Sequence, residues 1–139
     1  MSEETPSRVA TVLVYASDRT VRAQVRTALG RKVASDLPEV RVVETATQPA
    51  TLKAVAGGGI DLLVLDGEAR PGGMGLCRQL KDEIFDCPPV LLITGRADDA
   101  WLATWSRADA AVPHPVDPIS LPGVVAALLR QRLGQGACA

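Results

Sequence analysis

The sequence lacks a concentrated block of basic residues: fifteen Lys and Arg stand scattered against sixteen Asp and Glu. Affinity for a phosphate backbone needs a dense positive surface, so the balance argues against nucleic acid as a direct partner. No stretch approaches the roughly 18 apolar residues of a membrane span. The start, Met1 to Arg8, carries Glu3 and Glu4 and has no apolar run behind a positive beginning, so it does not read as a signal peptide. The expectation is a soluble cytoplasmic protein. Cysteine is scarce as well: Cys77, Cys87 and Cys138 are an odd number without metal-ligand spacing, and they read as reduced thiols. Glycine is missing from Ala16-Ser17-Asp18-Arg19-Thr20, behind the first apolar run. That argues against the phosphate-cradling loop of a flavin- or nucleotide-binding domain.

What is present is an ordinary globular composition, 47% hydrophobic and 22% charged over 139 residues, enough for one domain with a continuous core. Short apolar runs recur at Val9 to Tyr15, Val40 to Thr45, Ile60 to Leu65 and Val90 to Thr94, with a weaker one at Ala110 to Val112. The third and fourth do not alternate with polar residues, which is the pattern of strands buried on both faces of a parallel sheet. Helical spacing lies between the runs: Val21, Val25, Ala28 and Leu29 share a face, as do Leu76, Leu80 and Ile84, and Val124, Val125, Leu128 and Leu129. Gly30, Gly57-Gly58-Gly59 and Pro88-Pro89 separate the pieces. Strand and helix therefore alternate, which predicts a parallel sheet with helices on both faces joined by right-handed crossovers. Residues 1–8 and 134–139 are expected to be flexible ends around a domain at 9–133. Arg31 to Glu39 is expected as a surface loop, and the last helix is expected to begin near Ser120 with Pro122 in its first turn.

In an open parallel sheet, ligands bind beyond the carboxyl ends of the strands. That rule selects Ala16, Ser17 and Asp18 after the first strand, Asp66 after the third, Thr94 after the fourth and His114 after the fifth. Asp66 leaves the core behind Leu62-Leu63-Val64-Leu65, and its carboxylate there is a nucleophile, a metal ligand or a cap. Thr94 offers a hydroxyl to an oxyanion or to its own loop. His114 is the single histidine. Together the three make an oxyanion-binding rim that none suggests alone.

The stretch Asp61 to Asp66, with Pro71 and Gly75-Leu76 behind it, resembles the receiver domain of bacterial response regulators: a strand, a phosphoacceptor Asp, a Pro-containing loop and a Gly at a helix start. Pro89 to Gly95 is similar to that family's fourth strand with its hydroxyl residue, and Val112-Pro113-His114-Pro115 sits where the family ends its fifth strand in Lys-Pro. The likeness runs from about Val9 to Leu133. It implies a flavodoxin-like three-layer α/β/α sandwich, a five-stranded parallel sheet of order 2-1-3-4-5 and five helices. It also implies that Asp66 takes a phosphoryl group from a histidine kinase, beside a Mg²⁺ held by an acidic pair, with Thr94 and a lysine binding the phosphoryl oxygens.

Several residues depart from that pattern. Ala16-Ser17 occupy the place of the acidic pair, and Asp18 follows one position late, where a one-residue slip turns a side chain away. Mg²⁺ binds through carboxylates, so the metal candidates are reduced to Asp66, Glu68 and Asp18, all weak; no cofactor is expected and Mg²⁺ binding should be poor. His114 replaces the lysine and is shorter and mostly neutral unless a carboxylate stabilises its charged form. The loop from Gly67 to Gly75 is one residue longer than usual, and Ala111 stands at the family's aromatic switch position. Trp101 and Trp105 lie four apart on an expected helix between the fourth and fifth strands; they either face the core or form a partner-binding surface together with Ala111.

The expectation is an atypical single-domain response regulator, not an enzyme. It would act through a signalling or effector protein bound in trans, with a histidine kinase and a second copy of the chain as further candidate partners. The alternative is a conventional Mg²⁺-dependent phosphoacceptor receiver in a two-component phosphorelay, with Glu68 replacing the lost acids. The resemblance implies a cis bond at His114-Pro115, since the corresponding X-Pro bond of receivers is cis, which would bring the imidazole to the rim near Asp66.

Overall fold

The computed structural model describes residues 9–67, 73–84, 86–95 and 107–137. In chain order the elements are β1 (Val9–Tyr15), α1 (Arg19–Leu29), β2 (Glu39–Thr45), α2 (Gln48–Ala56), β3 (Leu62–Asp66), α3 (Gly73–Glu83), β4 (Val90–Thr94), β5 (Ala110–Pro113) and α4 (Leu121–Ala137). The strands form one parallel sheet of order β2-β1-β3-β4-β5, the order that the resemblance implied. Four helices are described where five were expected. The segment holding Trp101 and Trp105, where the additional helix was placed, lies outside the described residues.

Strand alternation distributes the core over both faces of the sheet. Val12, Val14, Leu62, Val64, Leu91 and Ile93 pack with Val25 and Leu29 of α1 and Val125 and Leu129 of α4. Leu13, Tyr15, Leu63, Leu65 and Leu92 pack with Val55 of α2 and Leu76 and Leu80 of α3. Every residue of β3 and β4 is buried, which is why those two runs show no polar alternation.

Local chemistry sets the element ends. The Asp18 carboxylate caps α1 by accepting the Thr20 N–H at 2.8 Å, and the Thr47 hydroxyl caps α2 by accepting the Ala50 N–H at 3.2 Å. α1 stops at Gly30, whose positive φ of 59° a β-carbon would oppose. The third strand begins two residues later than the apolar run, because the Asp61 carboxylate itself accepts the Thr11 N–H at 2.9 Å while the Asp61 N–H donates to the Thr11 carbonyl at 2.8 Å. Asp109 repeats this device before β5: its carboxylate accepts the Val90 N–H at 2.7 Å and its N–H donates to the Val90 carbonyl at 2.9 Å.

Two expectations need correction. The connection from 31 to 38 is not only a surface loop, since Leu37 is 6% exposed and belongs to the core beneath α1 and α4. Arg130 of α4 grips Asp36 of the same loop with two 2.9 Å bonds and holds its carboxyl down at about 2. The final helix starts at Leu121 with Pro122 in its first turn, but it runs on to Ala137 past the expected start of a tail at Gly134. Once a helix is nucleated, each added residue gains a backbone bond, and this outweighs the poor propensity of isolated glycines. Among the described residues no helix is long and apolar enough to cross a membrane.

Candidate functional site

The sheet brings three of the sequence-selected residues to one rim. Asp66 ends β3 and is 4% exposed, and Thr94 ends β4 at 3%. Register sets them side by side, with Asp66 paired to Ile93 and Thr94 to Pro113. The chain then locks across the rim: the Gly67 N–H donates to the Ile93 carbonyl at 2.7 Å and the His114 N–H to the Thr94 carbonyl at 2.8 Å. The His114–Pro115 peptide is cis, as expected. His114 Nε2 lies 2.8 Å from Asp66 Oδ1, so the imidazole and the carboxylate form a direct pair. The Thr94 hydroxyl donates to the Val112 carbonyl at 3.4 Å, a long bond that a better acceptor could displace.

At the first strand the register pairs Tyr15 with Leu65, which sets Ala16 level with Asp66. Ala16 is fully buried and Ser17 is exposed. Asp18 Oδ1 accepts the helix-capping bond, and among the described residues no three His, Cys, Asp or Glu side chains converge as a metal site. The positions after β1 that would hold the acidic pair of the receiver pattern are Ala16 and Ser17, neither of which carries a carboxylate. Glu68, the remaining metal candidate, lies outside the described residues, as do Trp101 and Trp105. Ala111 sits exposed in β5.

Two neighbours of the site were not singled out from the sequence. Arg22, one turn into α1, reaches back to the carbonyls of Ala16 and Ser17 and pairs with Glu44 at 3.1 Å, fastening the loop after β1. Its position four residues after the helix-capping Asp18 is a signal that could have found it, because that spacing returns a side chain to the loop. Tyr15 is fully buried at the end of β1. Burial first, and the Asp66 charge second, push its phenol above the ordinary 10.0. As the single tyrosine it gives a clean signal. In an alkaline absorbance titration Tyr15 should ionise later than a free tyrosine, and Asp66→Asn should bring the midpoint only part of the way back. Because the folded phenol holds its proton more tightly than the unfolded one, stability should be intact below the ordinary value of 10.0 and fall as pH rises beyond it. An Asp66→Asn midpoint identical to wild type would show that the two groups are not coupled.

Over 120 residues the chain is 56% identical to uncharacterized response regulatory proteins from two strains of Mycobacterium tuberculosis, covering 86% of this chain and 90% of theirs. It belongs to the response regulators. No protein-family model matches the sequence. Solved receivers share its fold at low identity. A CheY-like response regulator receiver domain protein from Methanospirillum hungatei is 18% identical, with a TM-score of 0.72 over 92% of this chain and 99% of that one. The signal receiver domain of an HD domain-containing protein from Pseudomonas fluorescens is 16% identical, with a TM-score of 0.77 over 99% of this chain and 98% of that one. Asp66, Thr94 and His114 of this response regulator stand together at the carboxyl ends of β3, β4 and β5, with His114 and Asp66 in direct contact.

Proposed function

We propose that this response regulator is an atypical receiver that signals by contact with a partner protein and is phosphorylated weakly or not at all at Asp66. The observation that carries the reading is the 2.8 Å bond between His114 and Asp66 beside a first strand that ends in Ala16 and Ser17. Making an acyl phosphate puts negative charge next to a carboxylate, and receivers relieve that repulsion with a divalent ion and a lysine. Here the ion has no acidic pair to hold it, and the imidazole already occupies one oxygen of the acceptor.

On this reading the chain is a cytoplasmic signalling module without resident cofactor or enzymatic turnover. Its partner is an effector or signalling protein bound in trans; a histidine kinase or a second copy of the chain are the other candidates. Trp101, Trp105 and Ala111 supply the docking surface, since tryptophan is concentrated at interface hot spots. Membership of the family favours a second reading, a conventional Mg²⁺-dependent phosphoacceptor with Glu68 at the metal.

Acetyl phosphate and Mg²⁺ separate the two. Intact mass should show little or no alkali-labile adduct on wild-type protein, and a pull-down with wild type and Asp66→Ala from native extract should recover the same partners. Rapid Mg²⁺-dependent acylation of Asp66, with partners lost on Asp66→Ala, would establish the conventional receiver instead.

A further inference from the structure

The geometry points to His114 Nδ1 as a phosphoryl-accepting nucleophile, making the site a histidine acceptor oriented by a buried carboxylate. The inference rests on the proposed reading that Asp66 is itself a poor acceptor. Three observations carry it. The Asp66 carboxylate is 5% exposed and holds His114 Nε2 at 2.8 Å. Among the described residues, Nδ1 has no hydrogen-bond or ionic partner. The imidazole is 22% exposed, so the ring is only partly covered where the carboxylate is closed off.

A carboxylate that accepts the Nε2 hydrogen fixes the tautomer, and the lone pair then resides on Nδ1. The same carboxylate stabilises the positive ring that forms when Nδ1 is substituted, which is how acid-oriented histidines act in catalytic dyads. With a small N-phosphoryl donor such as phosphoramidate, the step balances without metal. The Nδ1 lone pair forms the new N–P bond, the P–N bond of the donor breaks, and ammonia leaves. The ring keeps its Nε2 hydrogen against Asp66, so no proton need be removed. Asp66 is here a positioning residue rather than an acceptor. Thr94, 3% exposed at the same rim, offers a hydroxyl to a phosphoryl oxygen, exchanging its 3.4 Å bond to the Val112 carbonyl for it.

The test is incubation of the whole chain with phosphoramidate in chelator, followed by intact mass, alkaline and acid treatment, and peptide mapping at neutral to alkaline pH. One phosphoryl group should appear, survive alkali, disappear in acid and map to His114. His114→Gln should abolish it while its amide keeps a donor toward Asp66 and so preserves the fold. Asp66→Asn should retain it at a rate lower by about 10–100-fold, as for other carboxylates that orient a histidine. Wild-type mapping alone decides the site if either variant is unstable. No adduct on wild-type protein would overturn this inference and leave the proposed function standing. An alkali-labile adduct at Asp66 would overturn both.

Discussion

Ala16→Asp, Ser17→Asp and His114→Lys combined should convert the protein into an efficient Mg²⁺-dependent phosphoacceptor. Labelling of Asp66 by acetyl phosphate should rise on the order of a hundredfold over wild type, the scale on which single electrostatic groups contribute to group transfer. The register supplies the reason. Tyr15 pairs with Leu65, so a carboxylate at 16 stands level with Asp66 at the neighbouring strand end. Without metal the same substitution should harm the fold, because position 16 is fully buried and the new charge faces an existing one. Thermal unfolding of the triple variant should therefore begin well below wild type and recover on adding Mg²⁺, while wild type stays unchanged. A triple variant that gains neither metal dependence nor phosphate would show that the missing groups are not what limits the site.

The largest loss of stability should come from Leu63→Ala, expected at about 2–5 kcal/mol in denaturant unfolding. Leu63 is fully buried on β3, in the cluster that joins the sheet to α2 and α3, so truncation leaves a space that neighbouring strands cannot close. Ile119→Ala is the matched control: Ile119 is 89% exposed, and its truncation should stay within about 0.5 kcal/mol. Equal effects at the two positions would contradict the described core.

Much of this architecture was legible because β3 and β4 carry unbroken Leu-Leu-Val-Leu and Val-Leu-Leu-Ile runs, β1 is apolar but for Thr11 and Tyr15, and helices such as α1 carry their apolar stripe at Val21, Val25 and Leu29. The rim residues were legible too, since strand ends in a parallel sheet converge by topology. What the chain order concealed were contacts between distant segments. The nearness of His114 to Asp66, 48 residues away, was expected from their strand-end locations and the His114-Pro115 bond, but the direct 2.8 Å bond between them was not. Asp18 shows the reverse case: its place one position late in the loop was legible as turning its side chain away from the rim, and its Oδ1 caps the first turn of its own helix. Leu37 was concealed by its setting in an irregular segment between Asp36 and Pro38, and its side chain joins the apolar cluster beneath α1 and α4, against which Val33 and Ala34 also pack. α4 continues through Gly134 to Ala137, since a helix already nucleated can absorb a residue of low intrinsic propensity.

On the proposed reading this response regulator keeps a carboxylate at the phosphoacceptor position without the cation site that would make it reactive. A Mg²⁺ titration of the wild-type chain, followed by amide NMR at Gly67, Thr94 and His114, tests it most directly. Small, non-saturating shifts are expected up to millimolar metal, indistinguishable from those of Asp66→Asn. Saturable shifts centred on Asp66 in wild type, absent from Asp66→Asn and accompanied by Mg²⁺-dependent phosphorylation of that residue, would contradict it.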